Sequence, residues 1–263
     1  MPAMTTSCRA AAVGLFTIVL AACGNNPTTP SNPDVQLTGD LAFGIVVSGS
    51  STSRSLTITN NRGGHRALKV TDLNLPDGFT SDWTSGCIPL GESRIVNLTF
   101  EPASPGIYSG TIGVEADGIE TGHTAAISAT VVPAMSGVWQ GTWEVRTYRL
   151  AGLLECASTV TLGEQVGPAF TGSLGHTVDY CGTGHKALTG SVDVNGAITI
   201  DVPDSITAFC AKKGLDGTLR GTVNGERSLT ASVEWPWVDQ TGPLCDAGIA
   251  LGYRSVTLTL EKQ

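Results

Sequence analysis

Charge is scarce in this chain. Asp, Glu, Lys and Arg make up 14% of its 263 residues, against about 25% in ordinary soluble domains. Cations are the scarcer sign, 15 Lys+Arg against 23 Asp+Glu, for a formal net charge of −8. That balance excludes the basic face a nucleic-acid binder needs. Aromatics are only 6%. No apolar run reaches the roughly 20 residues of a membrane-spanning helix. No stretch beyond the N-terminal segment repeats apolar residues at a helical period. There is no GxSxG elbow, phosphate-binding loop, dinucleotide fingerprint, CxxC pair or HExxH helix, so the common sequence-marked hydrolase, nucleotide and zinc chemistries have no foothold. Hydrophobic residues are nonetheless 41%, too many for a mainly disordered chain. Glycine is plentiful, 33 residues, where about 7% is usual.

Residues 1–9 carry one cation, Arg9, and no acid, and Ala10 to Ala21 form a short apolar run. That is the pattern of a signal-peptide core. Leu20-Ala21-Ala22-Cys23-Gly24 follows, and it resembles the lipobox of bacterial lipoproteins. The resemblance implies removal of residues 1–22, lipidation of the Cys23 thiol and new amine, and anchoring to a membrane through several acyl chains, which hold more firmly than one. Small residues before the cut also suit an ordinary signal peptidase, with Cys23 then coincidental. No Asp follows Cys23. By family analogy this directs the protein to the outer membrane where a cell has two, and to the bacterial cell envelope in either case. Residues 23–34 continue as NNPTTPSNPD after the Cys-Gly pair, a Pro-rich extended tether.

Residues 35–133 break into short alternating runs: Leu41 to Val47, Ser53 to Asn60, Leu68 to Leu75, Arg94 to Phe100, Ile107 to Ala116 and Thr124 to Val132. Ile95, Asn97 and Thr99 alternate with Val96, Leu98 and Phe100, so one face of that run is apolar. Turn clusters separate the runs at the spacing of a β-sandwich. Phe43-Gly44-Ile45-Val46, Leu56-Thr57-Ile58-Thr59-Asn60, Phe100-Glu101-Pro102 and Gly106-Ile107-Tyr108-Ser109-Gly110-Thr111-Ile112 together resemble the abnormal-spindle/Hydin-type Ig-like modules. The chain departs from that pattern at Leu90-Gly91, where the family usually has Pro-Gly. The resemblance implies an Ig-like sandwich that serves as a spacer or protein-binding unit and carries no catalytic residues. Asn97-Leu98-Thr99 fits a glycosylation acceptor, but its mid-strand position discounts it.

Residues 134–263 read as eight strands: Gly137 to Arg149, Cys156 to Leu162, Ala169 to Leu174, Lys186 to Val194, Ala197 to Val202, Gly217 to Val223, Ser228 to Trp235 and Ser255 to Glu261. Asn195-Gly196 and Asn224-Gly225 predict tight hairpins of type I′. Phe170-Thr171-Gly172-Ser173-Leu174, Leu188-Thr189-Gly190-Ser191-Val192 and Leu219-Arg220-Gly221-Thr222-Val223 echo one another. Repeated hairpins with glycine inside the strands predict an up-and-down antiparallel β-barrel, whose closure removes sheet edges. The opening Gly137-Val138-Trp139-Gln140-Gly141-Thr142-Trp143 resembles the first strand of lipocalin-like and avidin-like barrels. In lipocalins an Arg stacks on the Trp, and Arg254 is the expected partner of Trp139 here through a cation–π contact. The fold class expected for the whole chain is therefore all-β, a sandwich followed by a barrel.

In a meander, alternate connections fall at opposite ends. The connections 150–155, 175–185, 203–216 and 236–254 then share one end, and three of them are long, as binding loops tend to be. Cys156, Cys181, Cys210 and Cys245 all map there. An even set of cysteines in an exported chain predicts two disulfides that stiffen this rim. Of the three pairings, Cys156–Cys181 with Cys210–Cys245 joins neighbouring loops and is the one favoured, Cys156–Cys245 with Cys181–Cys210 also joins neighbours if the barrel closes, and the third crosses the mouth and would plug it. Cys87, alone in the sandwich, is expected to be a small buried hydrophobe or a free thiol. Tyr180, His185, Phe209, Trp235 and Trp237 form the candidate ligand rim. Trp235-Pro236-Trp237 at a strand end suits glycan stacking, a protein hot spot or a cap on the barrel. His176, Asp179, Cys181 and His185 lie close in sequence, but their spacing matches no standard zinc site, and no metal or cofactor is expected. Asp179, Asp204, Asp239 and Asp246 offer carboxylates for a hydrolase, though Asp is foremost a turn former. The leading expectation is a non-catalytic envelope lipoprotein that binds a small molecule, a glycan or an envelope protein at this rim. The alternatives are a structural spacer and a loop-carboxylate hydrolase.

Overall fold

The structure is a computed structural model. It describes residues 34–61, 66–117, 123–147, 153–176, 184–202, 217–234 and 253–263. The chain divides into two compact units. The first takes the described residues up to Gly44, Ser51–Glu101 and Tyr108–Ala129, and the second takes Ile45–Ser50, Pro102–Ile107 and Thr130–Gln263. Every element among the described residues is a β-strand.

The sandwich has nine strands: β1 (Asp34–Thr38), β2 (Ala42–Val47), β3 (Thr52–Asn61), β4 (Leu68–Asn74), β5 (Phe79–Ser81), β6 (Gly86–Ile88), β7 (Ser93–Phe100), β8 (Gly106–Ala116) and β9 (His123–Val132). One sheet has the order β1-β3-β7-β5 and the other β2-β9-β8-β4-β6. The alternation read in the sequence sets the faces. Val96, Leu98 and Phe100 are fully buried, whereas Ile95 is 62% exposed. Three strands were not among the expected runs: β1, β5 and β6. Two of these have only three residues, too few to show an alternation.

The Gly106 to Ile112 motif has a packing reason. Tyr108 meets the Phe100 ring edge-on at 5.1 Å, and Phe100 stacks on Phe79 at 4.4 Å. A Cβ on Gly110 would lie 2.7 Å from Pro76 Cγ, so only glycine lets the chain before β5 lie over β8. Asn60, fully buried, donates its side-chain amide to the carbonyls of Arg66 and Ile88 at 3.1 and 3.0 Å. It thereby satisfies two backbone acceptors where the chain leaves its ladders.

The barrel has eight strands: β10 (Gly137–Thr147), β11 (Leu153–Val166), β12 (Ala169–His176), β13 (Gly184–Val192), β14 (Ala197–Val202), β15 (Gly217–Asn224), β16 (Ser228–Glu234) and β17 (Tyr253–Lys262). They pair in chain order, each antiparallel to the next, and β17 closes on β10. β11 runs longer than expected at both ends, with a register shift between Leu162 and Gln165. The inward positions form one cluster that includes Trp139, Trp143, Phe170, Leu188, Ile198, Ile200, Leu219, Leu229 and Leu258. None of these is more than 5% exposed. An eight-stranded barrel is narrow enough for its own side chains to fill it, and in the described part they do.

The repeated glycines sit on this inner face. Gly141, Gly172, Gly190 and Gly221 alternate with the buried apolar residues of their strands. A Cβ on any of the four would come within 2.5 Å of a threonine carbonyl of the neighbouring strand: Thr259, Thr161, Thr199 and Thr230 in turn. On Gly190 it would also strike the Phe170 ring. Glycine lets the wall curve tightly and makes room for the large rings across from it.

Among the described residues the outer face of the barrel is mainly polar, with Val138 and Val166 as exposed exceptions. Thr142, Thr259, Thr230 and Thr222 form one register row across β10, β17, β16 and β15. A barrel that crosses a bilayer shows an apolar band to lipid and a polar lumen. The threonine row and the buried apolar cluster of the described residues follow the opposite pattern.

Candidate functional site

The order of the strands settles which connections share an end. The segments that join β10 to β11, β12 to β13, β14 to β15 and β16 to β17 all leave the barrel at one end, as the meander argument requires. The turns β11–β12, β13–β14 and β15–β16 share the other end with the start of β10 and the finish of β17.

The tight-turn end is sealed. Val132 and Met135 belong to the barrel's buried cluster. Fully buried Trp139 donates its indole N–H to the Met135 carbonyl at 2.8 Å. Gln165 straps the same segment. Its amide oxygen accepts from Met135 N–H at 2.7 Å, and its nitrogen donates to the Pro133 and Gly167 carbonyls at 2.9 and 3.1 Å. Glu226 accepts from Ala134 N–H at 3.1 Å, and the Lys262 ammonium donates to the Ala134 carbonyl at 2.9 Å. Lys262 Nζ also lies 5.5 Å from the centre of the Trp139 ring.

Lys262 thus holds the position expected of Arg254. In the antiparallel closure Trp139 pairs with Lys262, while Arg254 lies between Tyr253 and Ser255, which pair with Thr147 and Arg146 at the far end of β10. About eight residues of strand, at about 3.3 Å each, separate the two cations.

The turn classes also differ from expectation. At 193–197 only Gly196 has positive φ (80°), and its N–H donates to the Asp193 carbonyl. This is a type I turn closed by a left-handed glycine. At 224–227 the positive-φ residues are Gly225 (56°) and Glu226 (60°), which shifts the mirror-image turn one residue along. Glu226 is the one non-glycine residue at positive φ among the described residues, and its carboxylate is the one that holds Ala134.

The candidate rim is only partly described. Cys181, Cys210 and Cys245 lie outside the described residues, as do Tyr180, Phe209, Trp235 and Trp237. So do Asp179, Asp204, Asp239 and Asp246. His176 and His185 fall at neighbouring register positions where β12 meets β13, opposite Gly184 and Gly175. Cys156 faces the barrel interior near the start of β11, paired in register with Trp143 and 2% exposed. Cys156 and Cys87 are both disulfide-bonded. Cys87 is therefore not a free thiol, and it is not buried either. It takes the outward position of the edge strand β6, and Ile88 takes the inward one.

A polar cluster that the sequence did not announce lies on the sandwich. Asp82 accepts from the backbone N–H and side-chain amide of Asn97, both at 2.9 Å. Ser55 donates to the Asn97 amide oxygen at 3.2 Å. The Asn97 backbone N–H, followed by its side-chain amide, holds the Asp82 carboxyl below its ordinary pKa. A depressed carboxylate adds stability that is complete above its unfolded pKa and lost as pH falls through the folded one. The stability difference between the native chain and Asp82→Asn should therefore be constant at neutral pH. It should shrink as pH falls below about 4, the ordinary aspartate range. Urea melts across that range check it, and a difference unchanged into strong acid would contradict it.

Residues 33–123 match the family described as "ASH: Abnormal spindle-like microcephaly-assoc'd, ASPM-SPD-2-Hydin". The matched residues take in strands β1 to β8 of the sandwich, whose two-sheet layout agrees with an Ig-like module of that family. Among solved structures the chain is similar to the ASH/PapD-like domain of human CEP192 (PapD-like domain 7). The identity is 17% and the TM-score 0.33, over 45% of this chain and 99% of that one. It is also similar to a protein of unknown function from Porphyromonas gingivalis W83, at 18% identity and TM-score 0.32, over 64% of this chain and 91% of that one. No curated protein matches by sequence.

Proposed function

We propose that this chain is a non-catalytic lipoprotein of the bacterial cell envelope, anchored through Cys23. In this reading the ASH domain is a stalk and the barrel binds a glycan or an envelope protein at its long-connection end. One observation carries the choice of end. The tight-turn end is closed by Trp139, Met135 and the straps from Gln165, Glu226 and Lys262. All four of the other connections issue from the opposite end. The filled interior favours recognition at the rim over a small molecule held inside the wall. The ASH match favours a binding or scaffold role over catalysis.

The test uses the exported full chain and two variants, with isolated peptidoglycan and envelope proteins trapped by cross-linking as probes. Trp237→Ala should stay on the membrane but lose at least about tenfold in retention on its partner, the scale of an interface aromatic. Cys23→Ala should lose its acyl chains and leave the membrane. If Trp237→Ala binds both probes as the native chain does, the rim reading falls and the spacer reading replaces it.

A further inference from the structure

The chain has two Asn-Gly pairs, each in a hairpin turn of the barrel, and their surroundings differ. Asn195-Gly196 is clamped. The Gly196 N–H donates to the Asp193 carbonyl at 3.1 Å, and the Asp193 carboxylate accepts from the N–H groups of Asn195 and Ala197 at 2.8 and 2.9 Å. Gly196 is buried, and a Cβ there would meet the Val223 carbonyl at 2.5 Å. Asn224-Gly225 is open. Both residues are exposed. The Gly225 N–H has no backbone partner among the described residues, and nothing lies within 4 Å of where a Gly225 Cβ would be.

We propose that Asn224 is a site of spontaneous covalent modification that loosens the sealed end of the barrel. The Gly225 amide nitrogen loses its proton to a solvent base and bonds to the Asn224 side-chain carbonyl carbon. The bond from that carbon to the side-chain nitrogen breaks, and ammonia leaves. Water then opens the five-membered imide. Breaking the new bond gives aspartate. Breaking the original peptide bond instead gives isoaspartate, with the main chain routed through the side chain. Nothing is oxidised or reduced. Gly225 has the two things the step needs, an accessible nitrogen and room for the ring. Gly196 has neither.

The consequence follows from what the turn holds. Two residues on, Glu226 accepts from Ala134 N–H, and the Arg227 carbonyl accepts from Lys262 N–H at 2.8 Å. Isoaspartate lengthens the main chain just before both contacts. The added carboxylate also stands opposite Ser228, which pairs in turn with Glu261 on β17. Both effects pull Glu226 and Lys262 away from the segment that covers Trp139.

The test incubates the folded full chain at mildly alkaline pH and follows both sites by peptide mapping and isoaspartyl-methyltransferase labelling. Asn224 should convert about fivefold faster than Asn195, the rate factor equal to one neutral hydrogen bond of about 1 kcal/mol. In denaturant the two rates should converge. Equal folded rates, or a faster Asn195, would overturn the assignment. Protease cleavage within residues 132–139 should rise in step with conversion and stay flat in Asn224→Ser. If cleavage rises equally in that variant, the loosening of the sealed end is refuted.

Discussion

Alanine at Gly221 should cost the barrel at least about 3 kcal/mol, the upper range for forcing atoms into a packed core. The added methyl has nowhere to go. It would fall on the Thr230 carbonyl and within 2.5 Å of Ala231 Cα, both backbone atoms of β16. A flexible side chain could swing aside, but a paired strand can move only by giving up its ladder. Gly141→Ala should behave alike, because its methyl would meet the Thr259 carbonyl and Leu260 Cα on β17, the strand that closes the barrel. Gly163→Ala is the control. Its nearest neighbour would be the Thr171 carbonyl at 3.7 Å, an ordinary contact, and its φ is not positive. That change should be neutral, or stabilise by up to about 1 kcal/mol through a less flexible unfolded chain. Urea melts of the three variants, with soluble yield as a second readout, separate the cases. Equal midpoints for Gly221→Ala and Gly163→Ala would show that the inner-face glycines are not what lets the wall close.

These glycines also mark how far the sequence could be read. The echo of Gly172, Gly190 and Gly221 announced a barrel, because glycine recurring inside strands marks places where another backbone comes close. The alternation of Val96, Leu98 and Phe100 announced the sandwich faces in the same way. Period and turn chemistry are local, and local signals survive in a bare sequence. What failed was pairing over distance. Resemblance points to Arg254 as the cation on Trp139, yet the antiparallel closure alone puts the last residue of β17 beside the start of β10. Strand counting could have found Lys262. Nothing local points to Gln165 or Glu226, whose roles exist only because a chain segment 30 to 92 residues away lies across the turns. The shift of positive φ from Asn224-Gly225 to Gly225-Glu226 was hidden for a related reason. A glutamate is a poor choice for that conformation, and only the bond to Ala134 N–H explains its presence.

Trp139→Ala should be the most damaging single change at the sealed end, at about 3–5 kcal/mol, the usual cost of truncating a buried Trp. The indole fills the barrel floor with no exposed surface, so its loss leaves a cavity. It also strips the Met135 carbonyl of its donor, and an unsatisfied buried acceptor adds to the cost. Met135 and Val132 would then cover a void. The contact with Lys262 is a separate and smaller matter. Lys262→Met keeps the stem but removes the charge and the bond to the Ala134 carbonyl, and a cation–π contact at a partly exposed site is worth about 0.5–1 kcal/mol. In the Trp139→Ala background the cation–π share should vanish, leaving only the loss at Ala134. Arg254→Met should not couple to Trp139 at all, since it sits at the opposite end of β17. A double-mutant cycle measured by chemical denaturation distinguishes the two cations. Coupling to Arg254 and none to Lys262 would reverse the assignment. Coupling to Lys262 alone would fix the tight-turn end as the barrel's structural floor.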